Sequence, residues 1–222
     1  MSSNIVVAMD GPSGSGKSST ARGVATRLGL RYLDTGAQFR AVTAWMIAHG
    51  VDFSDPADIA ARVGEPELAS GTDPQGPAIM VNGIDVALAI RTDEVNAAVS
   101  PVSAVPAVRA RLLELQRAVI GEGGIVVEGR DIGSVVAPDA QVKIFLVAEP
   151  SARAERRAAE EGGSDVAATQ ESLLSRDRID SGRATAPLVR ADGAVEIDTT
   201  AHTLDEVVDR VVGLAHAVEA TA

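Results

Sequence analysis

Five short apolar runs recur along the chain, each followed by a stretch whose apolar residues return every three or four positions. Ile5–Met9, Arg31–Leu33, Ile125–Glu128, Val142–Val147 and Val195–Ile197 have the length and branched content of buried strands. Helical spacing predicts Lys17–Leu28, Gln38–His49, Val105–Ile120, Ser151–Glu161, Ala167–Ile179 and Leu204–Val218. In the last of these, Leu204, Val207, Val208, Val211 and Leu214 share one face. Strands alternating with helices predict an α/β domain, a parallel central sheet with helices on both sides.

One stretch interrupts the alternation. Gly, Pro and Asn crowd the region from Gly64 to Arg91, with β-like pieces at Glu67–Ala69 and Ala78–Val81. Asn82-Gly83 between Val81 and Ile84 is a hairpin signal, because both turn positions of the favoured two-residue loop need positive φ. A structureless loop of that length is uncommon inside a compact domain. The expected division is therefore a core of 1–54 and 97–222 carrying a small inserted lobe at 55–96. Gly162-Gly163-Ser164 reads as a flexible joint between two charged helices.

At 222 residues and 45% hydrophobic content the chain has ample material for a core, built from Ala, Val, Leu and Ile because aromatics are only 2%. It has no cysteine, so disulfides and thiolate metal sites are excluded, which fits a cytoplasmic setting. His49, His202 and His216 have no metal-ligand spacing. No run approaches a membrane span and no signal peptide precedes the first strand, so no membrane partner is expected. The net charge of −11 argues against a nucleic acid polymer as partner. It leaves room for a small phosphorylated ligand gripped by locally converging basic residues, of which 18 of 20 are arginine.

The segment between the first strand and first helix carries the strongest chemical signal. Gly11-Pro12-Ser13-Gly14-Ser15-Gly16-Lys17-Ser18 fits the phosphate-loop pattern in its strand–loop–helix context. Glycines let successive N–H groups turn inward around an anion, and the helix beginning near Lys17 adds its positive end. Residues 11–19 are the expected triphosphate site. Lys17 would reach the terminal phosphates, and the hydroxyl of Ser18 or Ser19 would hold Mg²⁺. A GTPase would need an Asn-Lys-x-Asp signature, and the only other lysine, Lys143, lies in Val142-Lys143-Ile144. A small kinase or a module that merely senses ATP remains.

Downstream arginines favour the kinase. Asp34-Thr35-Gly36-Ala37-Gln38-Phe39-Arg40 offers a hydroxyl, a glycine turn and a cation after the second strand, a second phosphate site. Glu128-Gly129-Arg130-Asp131 ends the third strand, where open parallel sheets bind ligands. Glu128 is a candidate acid for orienting the water shell of Mg²⁺, and Asp131 either caps a turn or serves a ligand. Arg176, Arg178, Asp180 and Arg183 form a third group; Arg153, Arg156 and Arg157 form a fourth on one helical face. Surface pairing competes for these last groups, since Arg156 with Glu160, Arg157 with Glu161 and Arg176 with Asp180 all stand at i,i+4.

The chain resembles the bacterial cytidylate kinases over nearly its whole length. The carrying residues are Asp10 to Lys17, Leu33-Asp34-Thr35-Gly36-Ala37, Ile90-Arg91-Thr92 with Asn96 to Ser100, Gly129-Arg130-Asp131-Ile132-Gly133, and Arg176-Asp177 through Arg183 to Ala186-Pro187-Leu188. The resemblance implies a P-loop fold, a lid at about 150–165, and transfer of the γ-phosphoryl group of ATP to CMP or dCMP with Mg²⁺. Nothing in the sequence resembles a zipper or a large exposed apolar stripe, so a monomer is the expectation. It implies that Arg40 and Arg130 hold the acceptor phosphate, that Thr35, Ser100, Arg109, Asp131 and Arg183 surround cytosine, and that Asp180 and Arg176 meet the sugar. Lys17, Arg130, Asp131 and the lid residues Arg153 and Arg157 would form the catalytic group. The chain departs from the family's usual residues with Thr35, Glu128 and Ser18-Ser19. A small-metabolite kinase of the shikimate kinase type is the alternative acceptor class, and a non-catalytic ATP-sensing module the alternative without turnover.

Overall fold

A computed structural model describes residues 4–160 and 162–221. Five parallel strands make the central sheet: β1 (Val6–Asp10), β2 (Arg31–Asp34), then, beyond three short strands of the insertion, β6 (Ile125–Gly129), β7 (Val142–Val147) and β8 (Val195–Asp198). Their order is β2-β6-β1-β7-β8. The chain leaves β1 toward one edge, returns to fill the gap with β6, and only then crosses to β7. The order reverses at β1, and such a switch point opens a crevice beyond the carboxyl ends of the strands. Register places Asp10 directly beside Gly129, so the loops leaving β1 and β6 start side by side.

Alternation along β1 explains the three layers. Val7 and Met9 face a cluster with Ala21, Val24 and Ala25 of α1 (Lys17–Leu28) and Val207, Val208, Val211 and Ala215 of α8 (Leu204–Glu219). Val6 and Ala8 face the opposite side, against Leu33, Val127, Ile120, Ile132 and Val136. Leu204, placed by its spacing on the buried stripe, is exposed. It is the first residue after the Thr203 cap, and the helix has not yet turned its face to the sheet.

The remaining elements build a second core beside the sheet. They are α2 (Thr35–Ala48), α3 (Pro56–Arg62), the strands β3 (Leu68–Ser70), β4 (Ile79–Val81) and β5 (Ile84–Asp85), α4 (Asp93–Ala104) and α5 (Pro106–Ile120). Val42, Trp45 and Met46 of α2 pack with Ile59, Ile79, Val81 and Ile90 of the insertion and with Val102 and Leu112. Asn82 and Gly83 take φ of 51° and 77°, and β4 and β5 pair antiparallel around them as that dipeptide predicts. Two helices here have no counterpart in the periodicity. α3 is only about two turns long, and α4 is rich in Ser and Ala with Pro101 inside it, yet Thr92 caps its start by accepting from the Val95 N–H.

The helices α6 (Pro150–Glu160) and α7 (Val166–Gly182) pack against each other beyond β7, joined through Gly162 and Gly163, which both take positive φ. No described helix is long and apolar enough to cross a membrane.

Candidate active site

The loop between β1 and α1 is shaped by its glycines. Gly11, Gly14 and Gly16 have φ of 149°, 77° and 86°. A Cβ on Gly11 would stand 2.2 Å from the Leu146 carbonyl oxygen, so only glycine fits against the end of β7. Lys17 is buried, and its ammonium donates to the Pro12 carbonyl at 2.7 Å, which holds it at the mouth of the loop. Burial, and then the Arg130 guanidinium, push its pKa well below an ordinary lysine's.

Glu128 lies across from that ammonium. It is buried, receives hydrogen bonds from the Tyr32 hydroxyl and Ser18, and has a pKa raised by burial and then by Asp34. The segment 34–40 is not a glycine turn. Asp34 accepts from the Ala37 N–H and caps α2, which starts at Thr35 and takes Gly36 into its first turn. Thr35 donates to the Glu128 carbonyl at 2.8 Å, tying α2 to the end of β6.

One cleft of about 720 Å³ runs from residues 13–19 to the second group of cations. Among the described residues, ten Lys and Arg side chains line it against four carboxylates, in a chain of net charge −11. Arg40, Arg130, Arg157, Arg176 and Arg183 all border it. Arg40 donates to the Asn96 side chain and the Ile90 carbonyl; burial, then Arg176 and Arg157, push its pKa down to about 9. Arg176 and Arg183 are lowered as well, first by burial. The Arg176 Nε is buried with no hydrogen-bond partner among the described residues. Like charges crowded this way are relieved by an anion.

A buried pair defines the far wall. Arg109 of α5 bonds Asp131, donates to the Ser103 carbonyl at 3.3 Å, and lies over the Phe39 ring. Ser100 and Val99 of α4 complete this corner of the cleft. Asp180 joins the two sides: it accepts from Arg130 at 3.0 Å and stands 3.7 Å from Arg183. In place of the i,i+4 partner Arg176, Asp180 thus takes Arg130, fifty residues away, and Arg183, three residues on.

The three arginines of α6 part company. Arg153 is buried behind the phosphate loop, donating to the Ser13 carbonyl at 3.0 Å and to Asp177 at 2.6 Å; it does not line the cleft. Arg156 donates to the Thr199 hydroxyl and carbonyl at 2.9 and 2.6 Å, and Arg157 faces the cleft. Glu161, the i,i+4 partner expected for Arg157, lies outside the described residues, as does the Glu160 side chain expected for Arg156.

Sequence reasoning passed over Asp10. Only 3% exposed, it accepts from the Ile132 and Gly133 N–H groups and so holds the loop after β6. An acid closing an apolar strand just before a phosphate loop was the available signal.

For Mg²⁺ the donor set is hard oxygen: the Ser18 hydroxyl, bonded to Glu128 and beside Ser19, at the cleft wall. No cluster of three acidic, His or Cys ligands exists among the described residues, so this chemistry suits a cation that arrives sharing phosphate oxygens.

The cytidylate kinase family model matches residues 7–217. A cytidylate kinase of Streptomyces avermitilis is 59% identical over 212 residues, covering 95% of this chain and 92% of that protein. One from Streptomyces griseus is 56% identical over 96% of this chain and 93% of its own length. Among solved structures, a gluconokinase from Sinorhizobium meliloti superposes with a TM-score of 0.51 at 17% identity, covering 98% of this chain and 95% of that one; the likeness is one of fold.

Proposed function

The chain belongs to the cytidylate kinase family, and from that premise we propose that it transfers the γ-phosphoryl group of ATP to CMP or dCMP, releasing ADP and the cytidine diphosphate. An oxygen of the acceptor phosphate attacks the γ-phosphorus in line, and the bond to the β-phosphate oxygen breaks as ADP leaves. The acceptor is already an anion near neutral pH, so the transfer needs no dedicated base. Positioning and neutralisation of charge are the work left to the protein.

The observation that carries this reading is the single cleft with a phosphate loop at one end and an arginine cluster at the other. Residues 11–19 cradle the triphosphate, and Lys17, with three donors, reaches a phosphate while keeping the Pro12 carbonyl. Arg40 and Arg130 hold the acceptor phosphate, and Arg157 offsets charge on the group in transit. Arg153 acts from behind the loop, through Ser13. The corner of Thr35, Ser100, Arg109, Asp131 and Arg183 receives cytosine, whose amine donates where uracil presents an acceptor. Asp180 and Arg176 meet the sugar. Ser18 or Ser19 would hold Mg²⁺, with Glu128 orienting its water shell, and the ion would supply charge neutralisation on the phosphates.

The insertion at 55–96 serves as the acceptor lobe and 150–165 as the lid, closing on both nucleotides to exclude water as a competing acceptor. The setting is the cytoplasm, as a monomer in pyrimidine nucleotide metabolism. Release of ADP with CMP, UMP, AMP and shikimate in turn tests the reading. Turnover with CMP and dCMP well above the others is expected. Preference for shikimate would make it a small-metabolite kinase, and no turnover with any acceptor a sensor of ATP.

A further inference from the structure

Asp10 ends β1 immediately before Gly11, the first glycine of the phosphate loop. Its two oxygens divide between consecutive amides: Oδ1 accepts from the Ile132 N–H and Oδ2 from the Gly133 N–H, both at 2.8 Å. Those amides follow Arg130 and Asp131 directly. The Asp131 carbonyl accepts in turn from the Val135 and Val136 N–H groups at 2.9 and 3.1 Å, so the chain at Asp131 is gripped from both sides. Asp131 then carries the hold outward to Arg109, and Arg109 to the Ser103 carbonyl of α4.

Two parallel acceptor oxygens are what this grip requires, and an ionised carboxylate supplies them. An amide of the same shape would turn its NH₂ toward one of the two donors. Asp10 does not line the cleft, and the charged groups that face it are Asp131 and Lys17. An acid kept in so buried a place, against its own desolvation, serves something other than packing.

We propose that Asp10 is a positioning residue for the phosphoryl transfer: through Ile132 and Gly133 it holds the acceptor-binding loop, residues 129–133, in fixed register with the phosphate loop. The inference rests on the transfer reading above. Asp10 is covalently the root of the donor loop and, by two hydrogen bonds, the anchor of the acceptor loop. One short link therefore sets the two reacting phosphates against each other. In-line attack needs those atoms within about 3–3.5 Å, and a displacement of about 1 Å can lose a hundredfold in rate.

The test is Asp10→Asn, compared with wild type in calorimetry with CMP and with ATP separately, and in steady-state turnover of CMP and UMP. Loosening Arg130 and Asp131 should weaken CMP binding about tenfold, as expected for a lost hydrogen bond to a charged group. The CMP/UMP preference should narrow, while ATP binding stays within about twofold, the phosphate loop being intact. Turnover with CMP should fall as well, since the reacting phosphates lose their register. Equal losses of binding for both nucleotides, or kcat, CMP affinity and base preference all unchanged, would reduce Asp10 to a structural role. Hydrogen exchange of the wild-type chain reads the same bonds should the variant not fold. Ile132 and Gly133 amides protected to the level of β6 support the proposal; free exchange overturns it. A wild type that turns over no CMP is the distinct failure, that of the functional reading, and leaves the exchange result to decide the grip.

Discussion

The Lys17 ammonium sits 2.7 Å from the Pro12 carbonyl oxygen, five residues back along the same loop. The side chain is buried at the phosphate loop and its ammonium is turned to that loop's own backbone. Its surroundings disfavour its charge, through burial and through Arg130. Lys17→Ala should therefore fold with an unchanged or slightly higher Tm. ATP-dependent turnover should fall by about 10²–10³-fold, the usual loss when one transition-state donor is removed. Thermal unfolding alongside an ADP-release assay checks both halves; retained turnover would mean the loop binds something else.

The arginine cluster makes a second prediction. Arg40, Arg176 and Arg183 are crowded and desolvated, with pKa values held below an ordinary guanidinium's. An anion that settles among them binds the native state alone and stabilises it. Sulfate or phosphate should raise Tm beyond chloride at equal ionic strength, by about 2–4 °C for each kcal/mol gained in a chain of this size. In Arg40→Met the difference between sulfate and chloride should shrink. Identical Tm values in the two salts would show that the cluster grips no anion.

How much of this was legible depended on whether a residue acts through its neighbours in sequence or in space. The phosphate loop declares itself because glycine spacing, strand and helix are all local. The core strands and most helices were legible for the same reason, and so was the Asn82-Gly83 hairpin. Helix α4 was not, because its Pro101 and small polar residues mask a stretch stabilised by the Thr92 cap and by burial of Val95, Val99 and Val102. The arginine groups were visible as candidates, but their partners were not. Asp180 bonds Arg130, fifty residues away, and the i,i+3/i+4 pattern of α6 conceals three different destinations. For Asp10 only half was legible: an acid closing an apolar strand marks it, but its partners are two backbone amides, which carry no sequence signal.

Protonation of the buried acids predicts how stability varies with pH. The Asp10 carboxyl is pushed up to about 6 from 3.8, mainly by burial, and Glu128 is raised as well, by burial and Asp34. Between about pH 4 and 6 the unfolded chain has released these protons while the native state retains them. Stability from these groups is therefore lost as pH rises through that window, by up to roughly 3 kcal/mol for Asp10. Urea unfolding should show a maximum on the acid side of neutral, and Asp10→Asn should flatten the slope between pH 4 and 6. A slope unchanged by the substitution would place the titrating group elsewhere.

Asp131 carries two duties that one substitution can separate. It is the counter-charge of buried Arg109, and it borders the corner proposed for the base. Asp131→Asn leaves Arg109 buried without its partner, which typically costs about 3–5 kcal/mol of stability. If the carboxylate also accepts from the cytosine amine, the amide that replaces it can donate to the uracil carbonyl instead. Discrimination resting on such a contact is worth about 1–3 kcal/mol, so the ratio of kcat/KM for CMP over UMP should shrink by roughly five- to a hundredfold. A ratio cancels any change in the folded fraction, and measurement well below the lowered Tm keeps both substrates on the same native enzyme. A fall in Tm with the CMP/UMP ratio unmoved would mean that Asp131 serves Arg109 alone, and that cytosine is read by Arg109, Ser100 and Arg183.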